Sequence, residues 1–274
     1  MKAKSRYSLW MVHLLLIVGA LFMVIPFLWM IFTSLKTLGE STQIPIVIFP
    51  KVPNWQNYSD VTTMLPFLKF YSNTVIVTIV KTVGQLIFCS VSAYAFARIE
   101  FPFKNIIFIL CLSVLMVPSQ VYMLPQFLIM RDFGWLNSLK ALIVPGLFSA
   151  FGMFLLRQFF MTLPNELEEA AKLDGCNHFQ IYRRIMLPLT SSGLISVAIF
   201  TCLATWNDLM WPMIVNSSPE KMTLSVGLSS LQGQFGTNFP VLMAGSLLAL
   251  WPMIALFIAS QKYFVEGISF TGTK

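Results

Sequence analysis

The sequence predicts an all-α, polytopic membrane protein with six spanning helices, and three observations carry that expectation. Of its 274 residues 57% are hydrophobic and 11% charged, whereas a soluble domain carries roughly 25% charged residues. The apolar residues gather in runs of about 20, the length a helix needs to cross a bilayer. The 18 Lys and Arg residues stand mostly at the ends of those runs. Membrane orientation therefore explains the net charge of +7, and nucleic acid is not expected as a partner.

The same composition excludes several chemistries. Three of the four cysteines (Cys89, Cys111, Cys202) lie in apolar runs and Cys176 lies in a polar loop, without metal-ligand spacing. Two histidines, His13 and His178, are too few for a metal site or proton relay, so no metal and no cofactor is expected. No glycine is followed by lysine, so there is no P-loop. If ATP drives this protein, another chain binds it.

Along the chain, Lys2, Lys4 and Arg6 precede a first span over residues 11–32. It is too long for a signal-peptide core and no A-x-A cleavage site follows, so it reads as a retained helix with Pro26 as a kink. Residues 33–72 form a structured outer loop broken by Pro45, Pro50, Pro53 and Pro66. The second span covers 73–97 and contains Lys81. A short basic turn leads to the third span, 105–130, interrupted by Pro118 and Pro125. The fourth covers 139–161, with Arg157 near its inner end. The fifth covers 189–215, an outer loop 216–238, and the sixth covers 239–260 before a short tail. The whole of 1–274 reads as one transmembrane domain.

Between the fourth and fifth spans lies the polar stretch NELEEAAKLDGCNHFQIYRRIMLPL, residues 165–189. Asn165 with Glu168 has the spacing of a capping box, and Glu166, Glu168 and Glu169 suit the positive end of the helix dipole. Leu167, Ala170 and Ala171 make one narrow face. Gly175 stands where this helix should stop, in a left-handed conformation that glycine enters without a Cβ clash. Asn177 and Gln180 repeat the capping spacing for a second short helix. Arg183 and Arg184 lie near its end, and Phe179, Tyr182 and Ile185 or Met186 form its apolar stripe. Pro188 is expected to close it.

Glu169-Ala170-Ala171, Gly175, Ile185, Leu187 and Pro188 together match the spacing EAA-x3-G-x9-I-x-LP at all seven fixed positions. This segment resembles the signature loop of membrane subunits of bacterial ATP-driven (ABC) importers, and the chain is most similar to the shorter permease of the maltose-type carbohydrate family. Cys176 and Thr190-Ser191-Ser192 depart from the common pattern, as do the last residues, Thr271 to Lys274. The resemblance implies a type I ABC importer permease fold in a bacterial inner membrane, with residues 164–188 as a cytoplasmic coupling loop. It implies that Glu169, Ala170, Ala171, Asp174, Gly175, Ile185, Leu187 and Pro188 couple the chain to an ATPase. The implied partners are a second related permease subunit, two cytoplasmic ATPase subunits, an external solute-binding protein, the lipid bilayer and a small polar solute, most in keeping with a carbohydrate. The chain itself would be no enzyme.

Orientation follows from charge. With both termini inside, eleven Lys and Arg residues fall on inner segments and six on outer ones, which places the coupling loop in the cytoplasm. For the translocation path the candidates are Lys81, Asn207, Asp208 and Trp251. Asp208 is the one acid inside an expected span; a carboxylate at mid-bilayer costs about 2.5–3.5 kcal/mol, so it calls for a polar cavity or a partner. Interfacial anchoring and cavity lining both fit it, and a similar Trp-Asn-acid stretch occurs in the sugar permeases. Lys81 lies too deep to snorkel and is expected to pair within the bundle. Two rivals remain at this stage. One is an ABC permease for glycerol phosphate or another polar solute. The other is an ion-gradient-driven transporter, which would carry more buried acids and an internal repeat.

Overall fold

The computed structural model describes residues 6–233 and 236–269. Lys2, Lys4 and the segment 271–274 lie outside the described residues, as do the side chains of Arg6 and Lys262. Helix α1 (Arg6–Ser34) runs through Pro26 without ending there. Its 29 residues rise about 43 Å, enough to cross a bilayer. From Trp10 to Phe27 its large apolar side chains are exposed on all sides, as suits a helix surrounded by lipid or by another membrane chain.

The loop that follows holds two short helices, α2 (Leu38–Thr42) and α3 (Gln56–Met64). Thr37 and Glu40 form a complete capping box for α2. Asn57, buried at the start of α3, donates through Nδ2 to the carbonyls of Ser34 (2.7 Å) and Lys36 (2.8 Å), groups that the end of α1 leaves without helical partners. Lys36, counted in the sequence as an outer-loop cation, is buried. Its Nζ donates to the Val47 carbonyl and sits 4.3 Å from the Trp29 ring centre.

Helix α4 (Phe67–Arg98) starts directly after Pro66, earlier than the expected residue 73. Helix α5 (Lys104–Ser113) ends in a 3-10 turn, Val114–Met116, and α6 (Ser119–Asp132) leaves it at 102°. The expected third span is therefore not one through-going helix. Pro118 lacks an amide hydrogen and forces Val117 into extended backbone, whereas Pro125 sits inside α6 without breaking it. The fourth span is also interrupted. Helix α7 (Leu139–Ile143) and the turn Val144–Gly146 precede an irregular stretch at 147–149, after which α8 (Ala150–Thr162) begins.

The signature stretch contributes α9 (Glu166–Leu173), α10 (His178–Ile181), a π-helical turn Tyr182–Met186 and α11 (Leu187–Leu189). Pro188 does not close the second helix as expected. It stands in α11, which runs on without a break from the π turn, and the bend of 77° comes after Leu189. Helix α12 (Ser191–Trp206) rises about 24 Å, short of the ~30 Å hydrocarbon core. The chain breaks at 207–209 before α13 (Met210–Val215), so the expected fifth span is a broken one and Asp208 lies in its break. Beyond it come α14 (Leu224–Ser229), a two-residue hairpin of β1 (Gln232–Gly233) and β2 (Gly236–Thr237), and α15 (Phe239–Ser269).

Among the described residues four helical segments are long and apolar enough to span, Trp10–Ser34, Phe67–Arg98, Leu139–Thr162 and Phe239–Gln261. The two bent pairs, Lys104–Met116 with Ser119–Asp132 and His178–Leu189 with Ser191–Trp206, make six where each crosses as one. Two compact units are formed by Met1–Phe67 with Leu228–Trp251 and by Leu68–Gly227 with Pro252–Lys274. In the first, Gly245 lets Val61 and Leu228 approach the α15 backbone: a Cβ there would meet Leu228 Cδ2 at 2.6 Å. In the second, α4, α8, α12 and the signature stretch share one core, built on Cys89, Tyr94, Leu156, Phe160, Met186 and Val197.

Candidate functional site

Arg98, the last residue of α4, anchors the signature stretch. Its guanidinium donates to the carbonyls of Phe160 and Leu163 at the end of α8 and to the side-chain oxygen of Asn165. This overturns the capping expectation for Asn165, whose side chain makes no cap bond because Arg98 has taken its oxygen. The expected narrow face is corrected too. On α9 the buried positions are Glu168 and Ala171, while Leu167 and Ala170 are exposed. The Glu168 carboxylate meets Lys172 Nζ of its own helix at 3.0 Å, and His178 Nδ1 of α10 lies 3.8 Å from it.

Gly175 adopts φ +79° at the turn, and nothing lies within 4 Å of where a Cβ would stand. Its requirement is thus one of backbone conformation and open space, not of packing inside the chain. Asn177 and Gln180 form the expected reciprocal cap, at 2.8 and 2.9 Å. The π turn then feeds Tyr182 into the core. Its hydroxyl is 2.7 Å from Ser90 Oγ on α4, and its ring centre is 5.4 Å from that of Tyr94. Ile181 and Met186 are fully buried, and Ile185 and Leu187 pack against the same core. Phe179, expected in that stripe, is exposed instead.

The stretch therefore has two sides. Ala171, Ile185 and Leu187 face the spans, whereas Glu169, Ala170, Asp174, Gly175 and Pro188 are at the surface. Around Gly175 the surface also displays Leu173, which is 90% exposed, and Phe179. Sequence reasoning missed Leu173 as a surface group. The available signal was its position next to the glycine turn, off the helix face that packs.

A second polar site lies among α4, α8 and α12. A cavity of about 380 Å³ is lined by Lys81, Gln85, Ser149, Phe200, Thr201 and Asp208 among others. An adjoining one of about 290 Å³ is lined by Ser119, Tyr122, Gln126 and Trp211, and it shares Lys81, Gly146 and Asp208 with the first. The irregular backbone at 144–149 is tolerable because it borders these cavities. Gln85 Nε2 donates to the Gly146 carbonyl (2.8 Å) and its Oε1 accepts from Thr201 Oγ1 (2.7 Å), which fixes that backbone. The Lys81 stem crosses Gly146 so closely that a Cβ there would lie 2.2 Å from Lys81 Cε.

Lys81 and Asp208, separately chosen from the sequence, thus come together. Asn207 does not join them: it is exposed, and its amide donates to the Leu203 carbonyl of its own helix. Trp251 lies on α15 with more than half its surface exposed. Gln85, Gly146 and Thr201 were missed. A glutamine four residues after Lys81, on the same helical face, and the Pro145-Gly146 pair inside an apolar run were the usable signals. Among the described residues no group of three or more His, Cys, Asp or Glu could hold a metal.

Comparison with known proteins adds a family. Residues 85–270 match the family described as binding-protein-dependent transport system inner membrane component. The arabinooligosaccharides transport system permease protein AraQ of Bacillus subtilis is 35% identical over 252 residues, covering 91% of this chain and 90% of that protein. The sn-glycerol-3-phosphate transport system permease protein UgpE of Yersinia enterocolitica is 32% identical, covering 93% and 94%. In fold, the chain is similar to a chain of a bacterial ABC transporter involved in the import of the acidic polysaccharide alginate. The TM-score is 0.85 with 24% identity, over 96% of this chain and 99% of that one.

Proposed function

The chain belongs to the family of binding-protein-dependent transport system inner membrane components, and from that premise we propose how its loop and its cavity serve transport. It is a permease subunit of an ATP-driven importer, a multi-pass inner-membrane component that makes and breaks no covalent bond. Importers of this family work with ATPase subunits and a binding protein.

In our reading residues 164–188 are the coupling loop, on the cytoplasmic side with both termini. Glu169, Ala170, Asp174 and Gly175 meet a cleft of the ATPase, while Ala171, Ile185 and Leu187 on the span side, with Pro188 at the surface next to Leu187, carry its motion into the spans. The observation that supports this most directly is the two-sidedness of the loop. It is pinned to α4 through Arg98 and Tyr182, yet it displays Leu173 and Phe179 beside an open glycine turn. Apolar side chains standing outward on a polar loop suit a partner that covers them. The small Ala170 and Gly175 let that partner approach.

A second, related permease subunit completes the pore, and the spans alternate between outward and inward access as the ATPase pair closes and opens. The cargo is a carbohydrate, in line with the arabinooligosaccharide relatives; the sn-glycerol-3-phosphate relatives keep a phosphorylated polyol as the alternative. Lys81 and Asp208 lie on the path.

Two measurements test this reading. Leu173→Asp should leave the protein inserted and the binding protein functional while the ATPase no longer co-purifies; retention of the ATPase at wild-type stoichiometry would sink the docking assignment. Cys176, half-buried beside Gly175, should react with a membrane-impermeant maleimide only from the cytoplasmic face, and docked ATPase should protect it. Labelling from outside would overturn the orientation.

A further inference from the structure

Among the described residues Lys81 and Asp208 are the only charged side chains lining the two cavities, and both residues line both of them. They therefore stand at the waist where one polar chamber passes into the next. The shared lining brings the two groups to one place, and among the described residues no ion pair locks them together. Three other polar groups of the larger chamber are already engaged. Gln85 and Thr201 satisfy each other and the Gly146 carbonyl, and Ser149 Oγ accepts from the Gly152 amide as the cap of α8. The charged groups that meet a visitor are one ammonium, with three donors, and one carboxylate, with acceptors only, to which the Trp211 amide also donates. A hydroxylated solute can accept from the first and donate to the second, and Phe151 and Phe200, whose ring centres lie 5.8 Å apart, offer apolar faces to its C–H surface.

We propose that Lys81 and Asp208 form a charge-neutral filter at this waist, which admits uncharged hydroxylated solutes and holds back ions of either sign. The inference rests on the permease reading and sharpens it. An anion drawn to Lys81 meets Asp208 at the same place, and a cation meets the reverse. Within a protein-walled cavity neither repulsion is screened as it would be in bulk. A neutral polyol meets no such term. Between the two cargo classes of its relatives, this subunit is therefore built for the uncharged sugar and against the phosphate ester.

The test uses the complete importer, with ATPase and second subunit, in nanodiscs. Ala204 is exposed and lines the larger chamber, so Ala204→Cys in a Cys202→Ser chain supplies one thiol there, read by peptide-resolved mass spectrometry. Anionic and cationic methanethiosulfonate reagents should modify it at comparable rates, each scaled to its rate with a free thiol. Asp208→Asn should shift the ratio toward the anionic reagent on the order of tenfold, and Lys81→Gln should shift it as far the other way. The opposite signs keep the test decisive if one variant assembles poorly. Millimolar arabinotriose should protect the thiol and digalacturonate should not, until Asp208→Asn lets the acid protect as well. A ratio indifferent to both substitutions, equal protection by both solutes, or protection by neither would overturn the filter. The permease reading would survive any of these if the ATPase still co-purifies and hydrolyses ATP.

Discussion

Gly175→Asp is expected to abolish uptake while the protein still inserts and folds, and Gly175→Ala to reduce uptake only in part. The two substitutions separate the fold from the partner because they rank oppositely on the two scales. At φ +79° a Cβ costs about 1–2 kcal/mol, and aspartate is among the few residues whose short polar side chain eases that cost. By backbone strain alone aspartate should be at least as well tolerated as alanine. The space around the position is open within the chain, so no internal clash reverses that order. What does reverse it is a covering partner: a new carboxylate directly after Asp174, pressed against a protein cleft, adds like charge and buries it without a mate. Uptake and ATPase stimulation in proteoliposomes, beside thermal unfolding of the isolated complex, read both scales at once. Wild-type uptake by Gly175→Asp, or the same loss for both variants in proportion to their unfolding temperatures, would show that the turn matters for folding and not for docking.

The turn could be foreseen because glycine, capping residues and their spacing act locally. Asn177 with Gln180 cap as their spacing suggests, and Gly175 takes the left-handed conformation. Asn165 shows where such reasoning stops. Its cap was competed away by Arg98, sixty-seven positions distant in the chain, and no local pattern announces that. The spans behave alike. Hydropathy located them, but composition averages over a window and does not see the breaks at 117–118, 147–149 and 207–209 that shape the cavities. Pro118 announced one of those breaks, Pro145-Gly146 marks a second only in retrospect, and 207–209 has no proline or glycine at all. Lys81 and Asp208 could be picked out singly because charge in an apolar run is costly. That they share a site depends on α4 and the α12–α13 break lying side by side, which is a tertiary fact.

Tyr182→Ala should uncouple transport from ATP hydrolysis more completely than any substitution on the outer face of the loop, with the ATPase still bound. The ring is buried where the loop enters the span core, against Tyr94 and beside Ile181 and Met186. Emptying it leaves a cavity, and large aromatic truncations in cores cost about 3–5 kcal/mol. Because α10 and α11 are short, that loss falls on the packed joint through which loop motion reaches α4, the Arg98 anchor being the other. The hydroxyl matters less. Ser90 Oγ also donates to the Leu86 and Ile87 carbonyls of its own helix, so Tyr182→Phe removes one bond of about 0.5–1.5 kcal/mol without stranding its partner. Tyr182→Phe should therefore transport at near wild-type rate, whereas Tyr182→Ala should hydrolyse ATP without accumulating solute. If the phenylalanine variant were as defective as the alanine one, the joint would be held by the hydrogen bond to α4 and not by packing. If both variants transported normally, force would have to enter the spans elsewhere, with the Arg98 anchor at the end of α4 as the remaining connection.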